Sequence, residues 1–540
     1  MILAYVLMLA MTTGEVVVKA DFTTAAGKVY ETEGLSLAFA NDARHGKVLE
    51  ARRPMAGAGR LMLPLRFLKG GEGLQGLQDV TVRVEKATWS MSACGQTDAD
   101  WPTNECPVAG LGPLSPRTEP DAAPVRGSLQ FWSPPDWNAW AGDVALGVYK
   151  GRFHVFYLYD RRHHASKCGC GGHQFAHLSS DDLVHWVEHP MSVPVRELWQ
   201  SVGTGTPFVK DDRLMLSYGW HTERFPWAGA YPRGATWSES EDGIHFKPSG
   251  VIFHETRNPT VYNRADGRLG LVCGYQNDKG FFVSDGDMMK WRQTDDTVPF
   301  GGDCPCFFEW NGHHYLIQGF TDMAYSPSGC PGTWVNWARS GDDVYDGLSV
   351  PMVAEWKGRR LIGGWISHPD GWGGWLAFRE LIQFSDGKLG MKWVPEFEKT
   401  LPPPKVFKVG AGKNFSCRFT DGNSEIELFV DPATASAGWA PIANGVRGKV
   451  WSLAEAKANP DLRKGRGSRF CDPQCAAFYR LDKVRGLDRP YAVRLRLHAC
   501  EKSDVTIVDA EIAGTRTLLT RHRGRWAMFG DAAGVRSGKF

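Results

Sequence analysis

The sequence predicts an all-β protein whose central part, residues 126–401, is a five-bladed β-propeller. A repeat, in which one strand ends in a polar or glycine turn and a second apolar strand follows, occurs five times. Its spacing of roughly 45 to 60 residues is the size of a propeller blade. No long stretch shows the periodicity of a helix, and Gly, Asp and Asn separate many short strands. Both features are typical of sheets arranged radially.

The second strand of each repeat is its clearest part. Copies four and five align without a gap, because Pro305-Cys-Phe-Phe-Glu-Trp-Asn-Gly312 matches Pro351-Met-Val-Ala-Glu-Trp-Lys-Gly358. Each copy therefore marks one blade. The five copies are Lys150–Tyr157, Asp212–Tyr218, Gly267–Cys273, Gly312–Gln318 and Gly358–Gly364.

The flanking regions predict smaller domains. Residues 21–125 contain strand-like runs and then a proline-rich stretch, which indicates a small N-terminal β module and a linker. Residues 402–540 contain alternating or β-branched runs, which predict a C-terminal β-sandwich. Residues 1–20 join an apolar run to Val18-Lys19-Ala20, so we expect a signal peptide and a secreted or periplasmic protein. A buried first strand is the alternative.

Composition and charge exclude several kinds of partner. The formal net charge is +2 and no block of Lys and Arg stands out, so neither nucleic acid nor a membrane surface is expected as a partner. The 22 Trp residues fit carbohydrate platforms, although aromatic core layers account for most of them. Twelve cysteines fit an oxidising compartment, with Cys94/Cys106 and Cys471/Cys475 as candidate local disulfides.

Three polar residues occupy matching positions in different repeats. Counted back from the glycine of the turn, Asp143 lies eight residues earlier, and Asn258 and Asp303 each lie nine residues earlier. The innermost strands of a propeller line one channel, so we expect the three side chains to converge. Two carboxyl groups are what glycoside cleavage requires, one to protonate the leaving oxygen and one to stabilise the sugar cation. The alternative is that each is a turn residue that bonds its own backbone.

One geometric difficulty follows from the prolines. Asn258 directly precedes Pro259, whereas Asp303 lies two residues before Pro305. Strict alternation along a strand would point the two side chains to opposite faces. We therefore expect a bulge or a proline-induced bend at the channel.

Two motifs resemble glycoside hydrolase family 32, which includes the invertases, inulinases and levanases. His177-Leu-Ser-Ser-Asp-Asp-Leu-Val-His-Trp186 is similar to the family's His-x-x-Ser-x-Asp-Leu-Val-His-Trp element. Trp372-Gly-Gly-Trp-Leu-Ala-Phe-Arg-Glu-Leu381 is similar to the run that closes the family's fifth blade. The resemblance extends from about Trp132 to Leu401, and it implies a five-bladed propeller followed by a β-sandwich.

The resemblance also implies roles for individual residues. Asp143, in Trp140-Ala-Gly-Asp-Val-Ala-Leu146, stands at the position of the family's nucleophile. Asp303, in Asp303-Cys-Pro305, stands at the position of the acid/base, where the family has Glu. Arg257-Asn-Pro259 corresponds to the family's Arg-Asp-Pro, so Arg257 and Asn258 would hold substrate hydroxyls. The remaining substrate contacts would come from Trp140, Phe175 and Trp372, with Phe175 replacing a Trp and Leu158 replacing a sugar-binding Gln.

The predicted function is hydrolysis of a fructoside or related furanoside with retention of configuration, without a cofactor or metal. A non-catalytic carbohydrate-binding propeller and an inverting enzyme acting on arabinan or xylan are the alternatives. The segment from His163 to His173 contains zinc-ligand types, but only one residue separates Cys168 from Cys170. Zinc sites usually show wider cysteine pairs. A disulfide-tied loop is therefore the favoured interpretation, and a bond from it to Cys304 or Cys306 is a further alternative.

Overall fold

The computed structural model consists almost entirely of antiparallel strands. It describes residues 5–6, 13–21, 28–32, 35–42, 46–52, 60–64, 77–85, 88–94, 105–107, 123–134, 140–160, 173–193, 201–221, 234–274, 279–296, 298, 304–318, 322–326, 334–336, 348–368, 372–403, 405–407, 415–418, 424–430, 439–443, 446–447, 485, 489, 491–500, 503, 505–523, 526–530 and 535–536. No helix among these residues is long and apolar enough to cross a membrane.

The N-terminal part contains two antiparallel sheets. Their strands are β1 (Tyr5–Val6), β2 (Thr13–Asp21), β3 (Lys28–Thr32), β4 (Leu35–Asp42), β5 (Gly46–Arg52), β6 (Arg60–Pro64), β7 (Leu77–Glu85), β8 (Thr88–Cys94) and β9 (Glu105–Pro107). One sheet has the order β1-β2-β7-β8-β9 and the other the order β3-β4-β5-β6. Strand β2 overlaps the predicted signal peptide, and all of its residues pair with β7. Removal of residues 1–20 stays a prediction.

Five four-stranded units follow, preceded by β10 (Ala123–Pro124). Unit 1 comprises β11 (Trp140–Tyr149), β12 (Arg152–Asp160), β13 (Gln174–Ser180) and β14 (Val187–Val193), and unit 2 comprises β15 (Ser201–Lys210), β16 (Arg213–His221), β17 (Gly234–Ser240) and β18 (Lys247–Pro248). Unit 3 comprises β19 (Thr260–Asn263), β20 (Leu269–Cys273), β21 (Gly280–Ser284) and β22 (Arg292–Gln293). Unit 4 comprises β23 (Pro305–Trp310), β24 (His313–Gln318), β25 (Asp322–Ser326) and β26 (Val335–Asn336). Unit 5 comprises β27 (Ser349–Trp356), β28 (Arg359–Ser367), β29 (Gly374–Gln383) and β30 (Leu389–Lys392).

The first strands of the units form a closed ring. Strand β11 lies against β15, β15 against β19, β19 against β23, β23 against β27, and β27 against β11. Units 1 and 5 are also joined in one sheet, through the pairing of Ala141 with Gly374. The radial arrangement places the first strands around a common axis, and the predicted all-β propeller is confirmed.

The turns between first and second strands explain the repeated glycines. Gly151, Gly267, Gly312 and Gly358 have φ values of 78°, 80°, 76° and 79°, in the left-handed region that favours glycine. In unit 2, Asp212 occupies the equivalent place with φ 55°, which Asp tolerates better than most residues. The repeat found in the sequence is therefore a repeated turn geometry.

Apolar clusters hold neighbouring units together. Phe156, Phe175 and Leu216 belong to a cluster shared by units 1 and 2. Similar clusters join unit 2 to unit 3 and unit 3 to unit 4, and the largest cluster spans units 1, 4 and 5. The core of the propeller therefore lies between the units.

Two more sheets follow the short helix α1 (Pro395–Glu398). Their strands are β31 (Lys405–Phe407), β32 (Phe415–Arg418), β33 (Ser424–Val430), β34 (Trp439–Ala443), β35 (Val446–Arg447), β36 (Tyr491–Ala499), β37 (Val505–Ile512), β38 (Arg516–Arg523), β39 (Trp526–Gly530) and β40 (Val535–Arg536). One sheet has the order β31-β33-β36-β37-β38 with β40 beside β33, and the other the order β32-β39-β34-β35. Their packing as a sandwich stays a prediction.

The first of these sheets packs against the propeller. Phe131 and Trp375 share an apolar cluster with Ile507. Arg379 of β29 forms an ion pair with Asp509 of β37, with 2.7 Å between Nη2 and Oδ1, and both side chains are fully buried. The two parts of the chain are thus joined by a buried interface.

Candidate active site

Asp143 is the centre of the site. It lies in β11 at a β-bulge between Ala141 and Val144, and its side chain is buried. The indole nitrogen of Trp365 donates a hydrogen bond to Oδ1 at 2.9 Å, and the hydroxyl of Thr204 donates to Oδ2. Both carboxylate oxygens therefore accept a hydrogen bond, the arrangement that stabilises a buried negative charge.

Thr204 in unit 2 and Asp143 in unit 1 occupy equivalent positions, because each lies eight residues before the turn residue, Asp212 or Gly151. Thr204 lies within a bulge between Val202 and Gly205 in β15. The side chain of Thr204 is also buried. The first strands of units 1 and 2 thus each contain a bulge that re-aims a side chain. The bend expected between Asn258 and Asp303 stays a prediction, because Asp303 lies outside the described residues.

Cys304 is the third residue of this register, eight residues before Gly312. It precedes β23 with φ 52°. Its sulfur lies 3.2 Å from the Thr204 hydroxyl oxygen and 3.7 Å from Oδ2 of Asp143. The alternative of a disulfide from the Cys168/Cys170 loop to Cys304 or Cys306 is wrong for this structure, because both residues carry buried thiols. Cys168 and Cys170 themselves lie outside the described residues.

The burial of Cys306 also favours a protonated thiol. Burial raises the pKa of Cys306 to about 12, so this thiol is protonated at neutral pH. Cys306 belongs to the same apolar cluster as Cys304. A protonated thiol in a packed core is inert. The expected local disulfides stay predictions, because Cys471 and Cys475 lie outside the described residues and the side chains of Cys94 and Cys106 are not described.

Asn258 lies beside Thr204. Its side-chain oxygen accepts a hydrogen bond of 2.9 Å from the backbone N–H of Thr204, and its side chain is buried. Arg257, immediately before it, is half-buried. The structure therefore brings Asn258 to Asp143 through Thr204. Asp303, the predicted acid/base, lies outside the described residues, and its role stays a prediction.

Trp372 covers the backbone next to Asp143. A Cβ atom added to Gly142 would lie 1.8 Å from Cη2 of Trp372, so only glycine admits the ring here. Trp372 packs against Trp365, with 5.0 Å between the ring centroids, and it stacks on His173 at 4.3 Å. An aromatic wall therefore adjoins the indole that binds Asp143.

Trp140 and Phe175, the other predicted substrate contacts, are both buried. Trp140 packs on Trp375 at 5.1 Å and on His368 at 4.4 Å, within the cluster that joins the propeller to the C-terminal sheet. Phe175 is completely buried in the cluster on which Trp372 packs, together with Leu158. Both are core residues, and direct contact with a substrate stays a prediction for each.

The site draws one residue from each unit. They are Asp143, Thr204, Asn258, Cys304 and Trp365. Among them Asp143 is the ionisable carboxyl, and its oxygens are held in fixed directions by neighbours from units 2 and 5. A carboxylate oriented in this way can attack an electrophilic carbon or stabilise a cation beside it.

Three of these residues were not selected from the sequence. Thr204 and Cys304 share the register of Asp143, so the distance to the turn could have identified both. Their side chains are neither acidic nor charged, and a Thr or Cys near a strand start usually belongs to the core. Trp365 lies in the second strand of unit 5, whereas counting back from the turn identifies residues of first strands only.

The described residues contain no group of three or more His, Cys, Asp or Glu side chains that could hold a metal ion. Of the histidine- and cysteine-containing segment, only His173 is described, and it contacts Trp372. A zinc site in the remainder of that segment stays an untested alternative.

Comparison with known proteins gives three findings. A sucrose-6-phosphate hydrolase of Escherichia coli is 27% identical over 316 residues, which cover 48% of this chain and 63% of that protein. A levanbiose-producing levanase of Bacillus subtilis strain 168 is 22% identical over 282 residues, which cover 47% of this chain and 50% of that protein. The chain thus spans less than two thirds of either relative. A solved glycoside hydrolase family 32 structure from Bifidobacterium adolescentis aligns over 97% of both chains, with a TM-score of 0.49 and 14% identity.

The fold and the site together define a propeller protein whose channel centres on a hydrogen-bonded carboxylate. Residues 138–330, which contain Asp143, Thr204, Asn258 and Cys304, match the family model described as "Glycosyl hydrolases family 32 N-terminal domain". Over these residues the chain is similar to glycoside hydrolase family 32.

Proposed function

We propose that this protein hydrolyses the glycosidic bond of a fructoside, with Asp143 as the nucleophile. The observation that carries the proposal is the buried position of Asp143, where each carboxylate oxygen accepts a hydrogen bond from a neighbouring unit. These bonds keep the carboxylate in one orientation. A nucleophile held in one orientation needs no reorganisation before it attacks.

The proposed reaction retains configuration and has two steps. In the first, an Asp143 oxygen bonds to the anomeric carbon while the bond to the leaving oxygen breaks, and the Asp303 carboxyl group gives that oxygen a proton. In the second, Asp303 takes a proton from water, the water oxygen bonds to the anomeric carbon, and the Asp143 carboxylate departs. The role of Asp303 as acid/base is inferred from its position in the sequence.

The relatives support a fructosyl substrate. One is a sucrose-6-phosphate hydrolase and one a levanase, and the sugars in both names carry fructofuranosyl units. The described site residues do not distinguish a short substrate from a polymer. The substrate panel should therefore contain sucrose, sucrose-6-phosphate, inulin, levan and, as a furanoside of another sugar, arabinan.

The decisive variant is Asp143→Asn, which keeps the size and removes the charge of the side chain. We expect kcat on the cleaved substrate to fall by about 10⁴-fold or more, the scale seen when a nucleophile is removed. Asp285→Asn is the matched control, because the Asp285 side chain is 91% exposed, whereas that of Asp143 is buried. Asp143→Asn with undiminished turnover would refute the assignment.

Two further measurements separate the alternatives. With methanol as acceptor, retention yields the methyl fructoside of the same anomer, whereas the opposite anomer or cleavage of arabinan alone would favour an inverting enzyme. Binding by calorimetry without turnover of any sugar would favour a carbohydrate-binding protein. Export is part of the proposal, and detection of a product that begins after Ala20 outside the cytoplasm would test it.

A further inference from the structure

Thr204 is bonded from three directions, and only one of its partners is the proposed nucleophile. We propose that Thr204 and Asn258 are positioning residues, which together set the orientation of the Asp143 carboxylate. The inference rests on the proposed function for its kinetic consequence. The hydrogen bonds on which it rests do not depend on a substrate, because both partners of each bond belong to the protein.

The Thr204 hydroxyl has a defined direction. Cys304 is the donor on one side, since its sulfur lies 3.2 Å from the hydroxyl oxygen. The hydroxyl donates its own hydrogen to Oδ2 of Asp143. With one bond accepted and one donated, the rotation of the hydroxyl about its C–O bond is fixed.

Asn258 fixes the backbone that carries this hydroxyl. Its side-chain oxygen accepts the N–H of Thr204 at 2.9 Å, in a buried setting. That N–H lies at the bulge between Val202 and Gly205, where regular pairing with β16 is interrupted. The amide oxygen of Asn258 therefore satisfies a backbone donor that the bulge takes out of the strand ladder.

The chain of bonds from Asn258 through Thr204 to Asp143 crosses units 3, 2 and 1. Trp365, from unit 5, holds the other carboxylate oxygen. Loss of either bond lets the carboxylate rotate, and a nucleophile that samples several orientations reacts more slowly. The resemblance gave Asn258 a role as a ligand of sugar hydroxyls. Its side-chain oxygen accepts the hydrogen bond from the Thr204 backbone, and its role as a sugar ligand stays a prediction.

The variants follow from this geometry. Thr204→Val removes the hydroxyl at nearly constant volume, and Thr204→Ser retains it. Asn258→Ala removes the acceptor of the backbone N–H, whereas Asn258→Asp retains an oxygen at that place. Thr206→Val is the matched control, because Thr206 lies two residues along β15 and its hydroxyl donates to the backbone oxygen of Val261.

The first measurement needs no turnover. A water-soluble carbodiimide with glycine ethyl ester as the trapping amine labels carboxyl groups, and peptide mass analysis gives the rate at Asp143 alone. We expect Thr204→Val and Asn258→Ala to raise that rate severalfold, because Oδ2 is released. The rate should stay at the wild-type value in Thr204→Ser, Asn258→Asp and Thr206→Val. An unchanged rate in the first two variants overturns the inference.

The second measurement is the kinetic one, on the fructoside that the wild type cleaves. We expect Thr204→Val to lower kcat by about 10- to 150-fold, the range of a lost hydrogen bond to a charged group, with little change in KM. Asn258→Ala should lower kcat similarly, and the double variant should lower it no further than either single change. A rise in KM at constant kcat on Asn258→Ala would overturn the positioning role and identify a sugar ligand.

The two measurements also separate this inference from the proposed function. If the labelling rates change as expected and the wild type cleaves no sugar in the panel, the proposed function fails and the positioning role stands. If sugars are cleaved and the labelling rates do not change, the proposed function stands and the positioning role fails.

Discussion

The buried ion pair between Arg379 and Asp509 gives the strongest stability prediction. At 2.7 Å and an effective dielectric constant of about 20, the attraction is about 6 kcal/mol, against a desolvation cost of several kcal/mol for each ion. The net value of the pair is therefore small. Arg379→Met removes the attraction and leaves the Asp509 carboxylate in a dry interface, which costs about 3 to 5 kcal/mol.

The measurement is a thermal unfolding curve followed by circular dichroism. For a cooperative unit of propeller size, a loss of 3 to 5 kcal/mol lowers Tm by about 5 to 9 °C. The double variant Arg379→Met/Asp509→Leu replaces both ions with apolar side chains, so we expect it to recover most of that loss. Arg152→Met is the control, because Arg152 and Asp181 form a surface pair whose side chains are 32% and 72% exposed. Such a pair contributes about 0 to 1 kcal/mol.

Two results would refute this reasoning. One is an Arg379→Met shift no larger than that of Arg152→Met, which would mean that water reaches the interface. The other is a double variant that melts at or below the temperature of Arg379→Met, which would mean that the pair is required for the packing itself.

Two other predictions concern pH and packing. Burial lowers the pKa of His154 to about 3 and that of His177 well below its usual value of 6.5. The unfolded chain therefore binds more protons below about pH 6.5, and the free energy of unfolding should fall towards pH 3 by up to about 1.4 kcal/mol per pH unit for each histidine. Tm measured at pH 8 and pH 5 should differ less in His154→Gln than in the wild type, and an equal difference would contradict the assignment. Gly142→Ala should lower Tm by overpacking against Trp372, at a cost of about 1 to 3 kcal/mol. The double variant Gly142→Ala/Trp372→Ala should be no less stable than Trp372→Ala alone, and a further loss would show that the clash is not the cause.

The sequence predicted the propeller because its signal is a backbone requirement. A left-handed turn between first and second strands needs Gly, or Asp as at position 212, and this requirement recurs in each of the five repeats. Asp143 could be placed for the same reason, since its distance to Gly151 is fixed by the hairpin. The convergence of Asp143 and Asn258 was also predictable from this register.

The rest of the site depends on contacts between units, which a linear pattern does not contain. Trp365 reaches Asp143 from the neighbouring unit 5, and Thr204 acquires its importance only from the carboxylate beside it. The contact between Asn258 and Thr204 could not be predicted for the same reason. The sequence shows an amide where an acid is expected, but not that the amide oxygen is bonded to the backbone of Thr204.

The pairing of Ala141 with Gly374 has a consequence for how the protein folds. These residues are roughly 230 positions apart, so their contact forms later than the local hairpins of the five units. Asp143 lies two residues from this junction, and Trp365 belongs to the unit on its other side. A chain with every hairpin formed but the ring open would therefore have native-like strands and no assembled carboxylate site, so recovery of the site during refolding reports the last step of assembly.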